Sequence, residues 1–230
     1  MEGATYLYQV FVPSQWTPEK KWPVIFFLHG AGTSGSDGVR QTEQGLPERL
    51  REQDDFPALV VMPQCHRGEW WGSPTMEAQA FRALESAMGE FNGDPARVYL
   101  TGLSMGGYGV WAFGYKYPGR FAALVPVCGG VVSESRRRFP VPDWHPAARA
   151  PEDPYSETAR GIGKVPVWAF HGSADPRVPV SESRKLTEAL KAAGGEVRYT
   201  EYPGVEHNSW DRAYSEEELI PWLLSQTSGR

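Results

Sequence analysis

In Val98-Tyr99-Leu100-Thr101-Gly102-Leu103-Ser104-Met105-Gly106-Gly107 an apolar run passes through a glycine-flanked serine straight into a stretch that reads as helix up to Pro118-Gly119. The pattern is that of a buried strand, a sharp turn and a helix. A turn this tight admits only small residues beside the serine, and it aims the hydroxyl away from the sheet at a helix N-terminus. In a chain with 25 glycines the pentapeptide Gly102 to Gly106 is weak by itself, and its place between strand and helix carries the information.

Outward from that stretch, short apolar runs bounded by Pro, Gly and Asp alternate with longer amphipathic ones, which predicts parallel strands covered by crossover helices. Strands are expected at about 7–12, 24–28, 58–62, 98–101, 123–127, 167–170 and 197–202. Helices are expected from Ser73-Pro74, a candidate cap with proline in the first turn, to near Gly93, and at about 106–117, 182–193 and 216–224. Residues 130–164 lack a clear period and hold Pro140, Pro142, Pro146, Pro151 and Pro154 around Trp144, which suits a loop with a short helix acting as a partial cap. Residues 1–230 are therefore read as one domain, a length at which α/β folds often run undivided.

Composition narrows the classes. With 40% hydrophobic, 22% charged and 13% aromatic residues, the chain is globular rather than disordered, collagen-like or built on disulfides. A net charge of -5 has the wrong sign for nucleic acid or anionic lipid, so neither partner is expected. The basic run Arg136, Arg137, Arg138 reads as a solvated surface. Cys65 and Cys128 lack metal-ligand spacing and read as two buried free thiols, with no metal site or disulfide. No stretch reaches the roughly 18 apolar residues of a membrane span and the start has no leader pattern, so a cytoplasmic location without stable membrane association is expected.

A serine hydroxyl is a weak nucleophile at neutral pH, so Ser104 calls for a general base and a group to orient it. Of five histidines, His29 and His171 end apolar runs before a glycine and suit structural turns, while His66 and His145 lie in loops where surface histidines are common. His207, after the last expected strand in Pro203-Gly204-Val205-Glu206-His207, is the candidate base. Asp175 sits just past the strand at 167–170 and is the candidate acid, ahead of Asp143, Asp153, Asp211 and Glu134. The order Ser104, Asp175, His207 is the one expected on such a sheet. Acyl transfer also needs backbone N–H groups aimed at the developing oxyanion, and the turn His29-Gly30-Ala31-Gly32 after 24–28 nominates the amides of Ala31 and Met105. Among nine tryptophans, Trp70, Trp71, Trp144 and Trp210 fall in loops where they could line a pocket; Trp111, Trp168 and Trp222 read as core.

Phe27-Leu28-His29-Gly30-Ala31-Gly32, Gly102 to Gly107, His171 to Asp175 with Val178-Pro179-Val180, and Tyr202 to His207 resemble the motifs of small serine α/β-hydrolases. Within these, the chain is similar to the carboxylesterase group near dienelactone hydrolases, acyl-protein thioesterases and predicted peptidases. The resemblance runs from about residue 23 onward. It implies an α/β-hydrolase fold, with a mostly parallel central sheet, helices on both faces, no separate lid domain and reduced N-terminal antiparallel strands. It also implies a serine carboxylesterase that needs no cofactor and acts on small soluble short-acyl esters in a shallow, open pocket. Dienelactone hydrolases proper use a cysteine at the elbow, so Ser104 argues against that activity. Two alternatives stand beside this reading. One is a serine peptidase of prolyl-oligopeptidase type, whose propeller 230 residues would not accommodate; the other is a binding module that keeps the fold without the chemistry.

Overall fold

The computed structural model describes residues 6–51, 53, 55–132 and 141–229. The basic run at Arg136 to Arg138, Glu134 and Pro140 lie outside the described residues. Among the described residues seven strands form one sheet: β1 (Tyr8–Phe11), β2 (Trp22–Leu28), β3 (Leu59–Pro63), β4 (Gly93–Leu103), β5 (Ala123–Val127), β6 (Val167–Gly172) and β7 (Val197–Tyr202). Their spatial order is β1-β3-β2-β4-β5-β6-β7; β1 alone runs antiparallel, against β3, and the other six are parallel.

Every residue of β2, β3, β5 and β6 is buried, which is why their sequences are continuous apolar runs without alternation. The alternation survives in where each side chain goes. Val24, Phe26 and Leu28 of β2 face one core layer, and Ile25 and Phe27 face the other. The first layer is closed by α2 (Pro74–Glu90), α3 (Met105–Lys116), α5 (Pro154–Ile162) and α6 (Ser181–Ala192), through residues such as Leu84, Trp111, Ile162 and Leu186. The second is closed by α1 (Leu46–Leu50), α7 (Trp210–Ala213) and α8 (Leu219–Ser225), through Leu46, Ala213 and Leu223. The short α4 (Pro146–Arg149) completes the set.

Three expectations shift. β4 starts at Gly93 rather than 98, because a register irregularity lets Gly93 pair with Trp22 before the regular ladder from Val24↔Val98. Ser73 precedes α2 but does not cap it: its hydroxyl donates to the Trp70 carbonyl at 3.0 Å. The final helix begins at Leu219, after a separate turn of helix at Trp210–Ala213, and places Pro221 in its first turn, where no intrahelical N–H is lost. In the proline-rich segment α4 and α5 each open on a proline, with His145 and Asp153 as side-chain caps.

Candidate active site

The chain winds from β2 to β3 on one side and then crosses back to β4 on the other, so the C-terminal ends of β2 and β4 face the crevice where ligands bind in open α/β sheets. Ser104 stands at that point, between β4 and α3. Its φ is +54°, a conformation that ordinarily costs a non-glycine residue about 1–3 kcal/mol. The turn is held by Ser104 N–H donating to Val127 O (2.9 Å) and Tyr108 N–H donating to Ser104 O (3.0 Å). Gly106 is required by close approach, since a Cβ there would collide with the Leu28 carbonyl.

Two further loops meet the serine. Nε2 of His207, after β7, lies 2.9 Å from Ser104 Oγ, and its Nδ1 lies 2.7 Å from Asp175 Oδ2. With the carboxylate accepting from Nδ1–H, Nε2 is left to accept from the serine O–H. The two loops are laced together: Ser173 N–H donates to Tyr202 O, Ala174 N–H to Val205 O, and Gly204 N–H to Ser173 Oγ, all within 3.0 Å. The Asp175 side chain is fully buried. Burial pushes its carboxyl upward, but hydrogen bonds from His171, His207 and the amides of Val178 and Arg177 outweigh it and hold the group well below the usual carboxylate range.

His171 has more than the turn role read from the sequence. Its Nε2 lies 3.3 Å from Asp175 Oδ2 and 3.0 Å from Val178 O, while Nδ1 lies 2.7 Å from Ser183 Oγ. Two acceptors at Nε2 make it the protonated nitrogen, so His171 donates to the carboxylate that orients His207. His29 holds the loop that carries Ala31. Its Nε2 accepts from Cys65 N–H (2.8 Å), which leaves Nδ1 to donate to Gly30 O (2.6 Å), and burial pushes its pKa down to about 4. Ala31 and Met105 both line the cavity beside Ser104; Met105 opens α3, so its N–H has no intrahelical acceptor.

The cavity measures about 240 Å³. Its apolar wall is formed by Met105, Val131, Val141 and Val178, with Trp70, Tyr108 and His145 beside them. A second cleft opens on the other side of Ser104 and His207, with Trp210 packed edge-on to the His207 ring at 5.5 Å. Of the four loop tryptophans, then, Trp70 and Trp210 border the serine and two do not. Trp71 is fully buried in the core and donates from Nε1 to His29 O, behind the Ala31 loop. Trp144 lines a separate groove over α2 and the end of α3, with the Lys116 ammonium 4.2 Å above its ring. His145, expected at the surface, is 2% exposed and part of the cavity.

Cys65 and Cys128 are buried free thiols. Ligand atoms of Cys128, Asp175 and His207 lie within 4.8 Å of one another. That grouping is poorly suited to a metal: Asp175 and His207 already satisfy each other, and burial pushes the Cys128 thiol up to about 12, so it stays protonated.

A serine on a strand-to-helix elbow, at the C-terminal edge of such a sheet and beside a histidine held by a carboxylate, is the arrangement of the serine α/β-hydrolases, and this chain is one of them. It superposes on the crystal structure of a thermostable esterase with a TM-score of 0.78, at 32% identity, over 96% of this chain and 58% of that one. The match to the prolyl oligopeptidase family over residues 71–228 shows that the chain belongs to that family. Among curated relatives it is 30% identical over 148 residues to the bifunctional acetylxylan esterase/xylanase XynS20E of Neocallimastix patriciarum, covering 63% of this chain and 21% of that protein. It is 25% identical over 205 residues to the carboxylesterase SOBER1 of Arabidopsis thaliana, covering 80% and 82%. The chain spans about a fifth of the length of two of the curated relatives it matches and about half of a third.

Proposed function

We propose that the chain is a serine carboxylesterase hydrolysing short-acyl carboxylic esters, and the observation that carries this is the relay through His207, 2.9 Å from Ser104 Oγ and 2.7 Å from Asp175. In this reading Ser104 Oγ attacks the ester carbonyl as His207 Nε2 takes its proton. The amides of Ala31 and Met105 hold the oxyanion, and Asp175 stabilises the imidazolium. Collapse expels the alcohol, which takes the proton back from His207, and leaves an acyl group on Ser104. Water, deprotonated by the same imidazole, then releases the acid. A cavity of 240 Å³ lies below the range usual for drug-sized ligands, which supports short acyl groups. The esterases among the relatives support ester chemistry. Residues 141–164, with 130–132 before them, serve as the partial cap of one catalytic domain. The two unpaired cysteines suit a reducing compartment, so the cytoplasm is the proposed location, which cell fractionation would check. No helix among the described residues is long and apolar enough to cross a membrane.

The test is a panel of nitrophenyl esters from acetyl to decanoyl, with a feruloyl ester, a thioester and an aminoacyl arylamide. Highest kcat/KM on the short acyl esters is the expected result, and a maximum on decanoate would refute the short-chain part. The family match favours a second reading, a serine peptidase; arylamide cleavage as fast as ester cleavage would put it in first place. A binding module without chemistry would leave Ser104 unlabelled by a fluorophosphonate.

A further inference from the structure

Glu182 lies in the first turn of α6 and is only 6% exposed. A carboxylate so deeply placed persists only where its oxygens are well supplied with donors. Here Oε2 accepts from the backbone N–H groups of Val131 and Val132, both at 2.9 Å, and Oε1 accepts from the Tyr155 hydroxyl at 2.5 Å. Two other elements therefore converge on this one side chain of α6: the exit from β5 and the first turn of α5. The approach depends on Gly130, where a Cβ would lie 2.5–2.8 Å from Glu182 side-chain atoms.

Val131 is the part of that exit that reaches the cavity. Its side chain lines the catalytic cavity with Val141 and Val178, a few residues beyond the carbonyl of Val127 that holds the Ser104 turn. Its backbone N–H is hydrogen-bonded not to a neighbouring strand but to Glu182, 51 residues on in the chain. Where the valine side chain stands is thus set by where the carboxylate stands. An apolar pocket discriminates by about tenfold or more per methylene, so a small displacement of such a wall changes the accepted acyl length.

We propose that Glu182 is a positioning residue that fixes the Val131 wall of the cavity and through it the acyl-length preference of the enzyme. This rests on the esterase reading of the cavity. Glu182 touches no reacting atom; it acts by holding two backbone amides.

E182A removes the acceptor, and E182Q keeps an amide oxygen that can accept the same two N–H groups. Steady-state kinetics on nitrophenyl acetate, butanoate and hexanoate should show the hexanoate-to-acetate ratio of kcat/KM changed by about tenfold in E182A, through KM, with kcat on acetate within about twofold of wild type. E182Q should keep the wild-type ratio. An unchanged ratio in E182A, or the same change in both variants, overturns the proposal. If E182A fails to fold, G130A decides, because its methyl must displace the carboxylate: an unchanged ratio there also overturns it. The same variants are titrated with alkyl fluorophosphonates from methyl to hexyl, reading the labelling rate of Ser104 by mass. If wild type labels but turns over no ester, the esterase reading fails, and the length dependence of labelling still decides the role of Glu182.

Discussion

The catalytic cavity has two walls of different origin. Ser104, His207, Ala31 and Met105 line it from turns that follow strands and are tied to their neighbours by backbone hydrogen bonds, with the Asp175 side chain buried behind His207. Val131, Val141 and His145 come from the segment after β5, where the described backbone hydrogen bonds around α4 are local and the long-range fixings are side chains reaching from elsewhere, among them Glu182 at Val131, Lys116 at Trp144 and Trp70 at His145. The first wall inherits its precision from the sheet, whose spacing is the same wherever it recurs. The second depends on particular long-range pairs. On the proposed function, chemistry belongs to the strand-end wall and selectivity to the other.

That division is broken or sharpened first by the largest effects. Ser104→Ala should lower kcat by about 10⁶ on every ester, and Asp175→Asn by about 10⁴, because the amide must put its NH₂ either against His207 and His171, which both donate to Oδ2, or against the Arg177 and Val178 amides, which donate to Oδ1. Both losses should be independent of acyl length in the ester panel. A loss graded with chain length would mean that these residues also shape the pocket.

The next effect is on stability. His29 stays neutral under the Ala31 loop with its pKa pushed down to about 4 by burial, against an ordinary value of 6.5. Between those values the unfolded chain binds a proton that the folded chain refuses. Stability from this residue is whole above about pH 6.5 and is lost as the pH falls toward 4, by about 3 kcal/mol. Asp175, held low, contributes the same sign of change only below the ordinary carboxylate value, outside that window. Urea midpoints at pH 7.5 and pH 4.5 should show the loss in wild type and a smaller one in His29→Gln. Equal losses in both would place the acid sensitivity elsewhere.

Legibility in the sequence follows the same two walls. The strand-end residues could be read because each lies in a local motif: glycines around Ser104, an apolar run before Asp175, a last strand before His207. His171 is half legible: its turn position is visible, and the four-residue spacing to Asp175 is the available signal for the hydrogen bond it makes there. His145 carried no such signal, since it is buried by the rings of Trp70 and Trp144 and by its own capping of α4. Trp70, Trp71 and Trp144 look alike as loop tryptophans. Only tertiary contacts put one in the cavity, one in the core behind His29 and one under Lys116.

A smaller effect is expected at the variable wall. Val141→Ala widens the cavity by two methyl groups' worth of space without touching a strand end. The preferred acyl chain should lengthen, with the hexanoate-to-acetate ratio of kcat/KM rising by about tenfold. A fall in kcat on all esters alike would instead assign Val141 to the chemistry.

Trp144→Ala should matter least for catalysis. Its ring is covered by the Lys116 ammonium, which is itself held by Glu77 at 2.5 and 2.8 Å, with the Tyr117 hydroxyl on the same carboxylate. Removing the ring forfeits about 0.5–2 kcal/mol of cation–π attraction and leaves the Glu77 cluster intact. His145, next in the chain, keeps its cap on α4 and its edge-on contact with Trp70. kcat and KM on acetate and butanoate should therefore stay within about twofold of wild type while the melting temperature drops by a few degrees. A large change in KM with an unchanged melting temperature would mean that substrate reaches the groove over α2, and that the variable wall extends past His145 to Trp144.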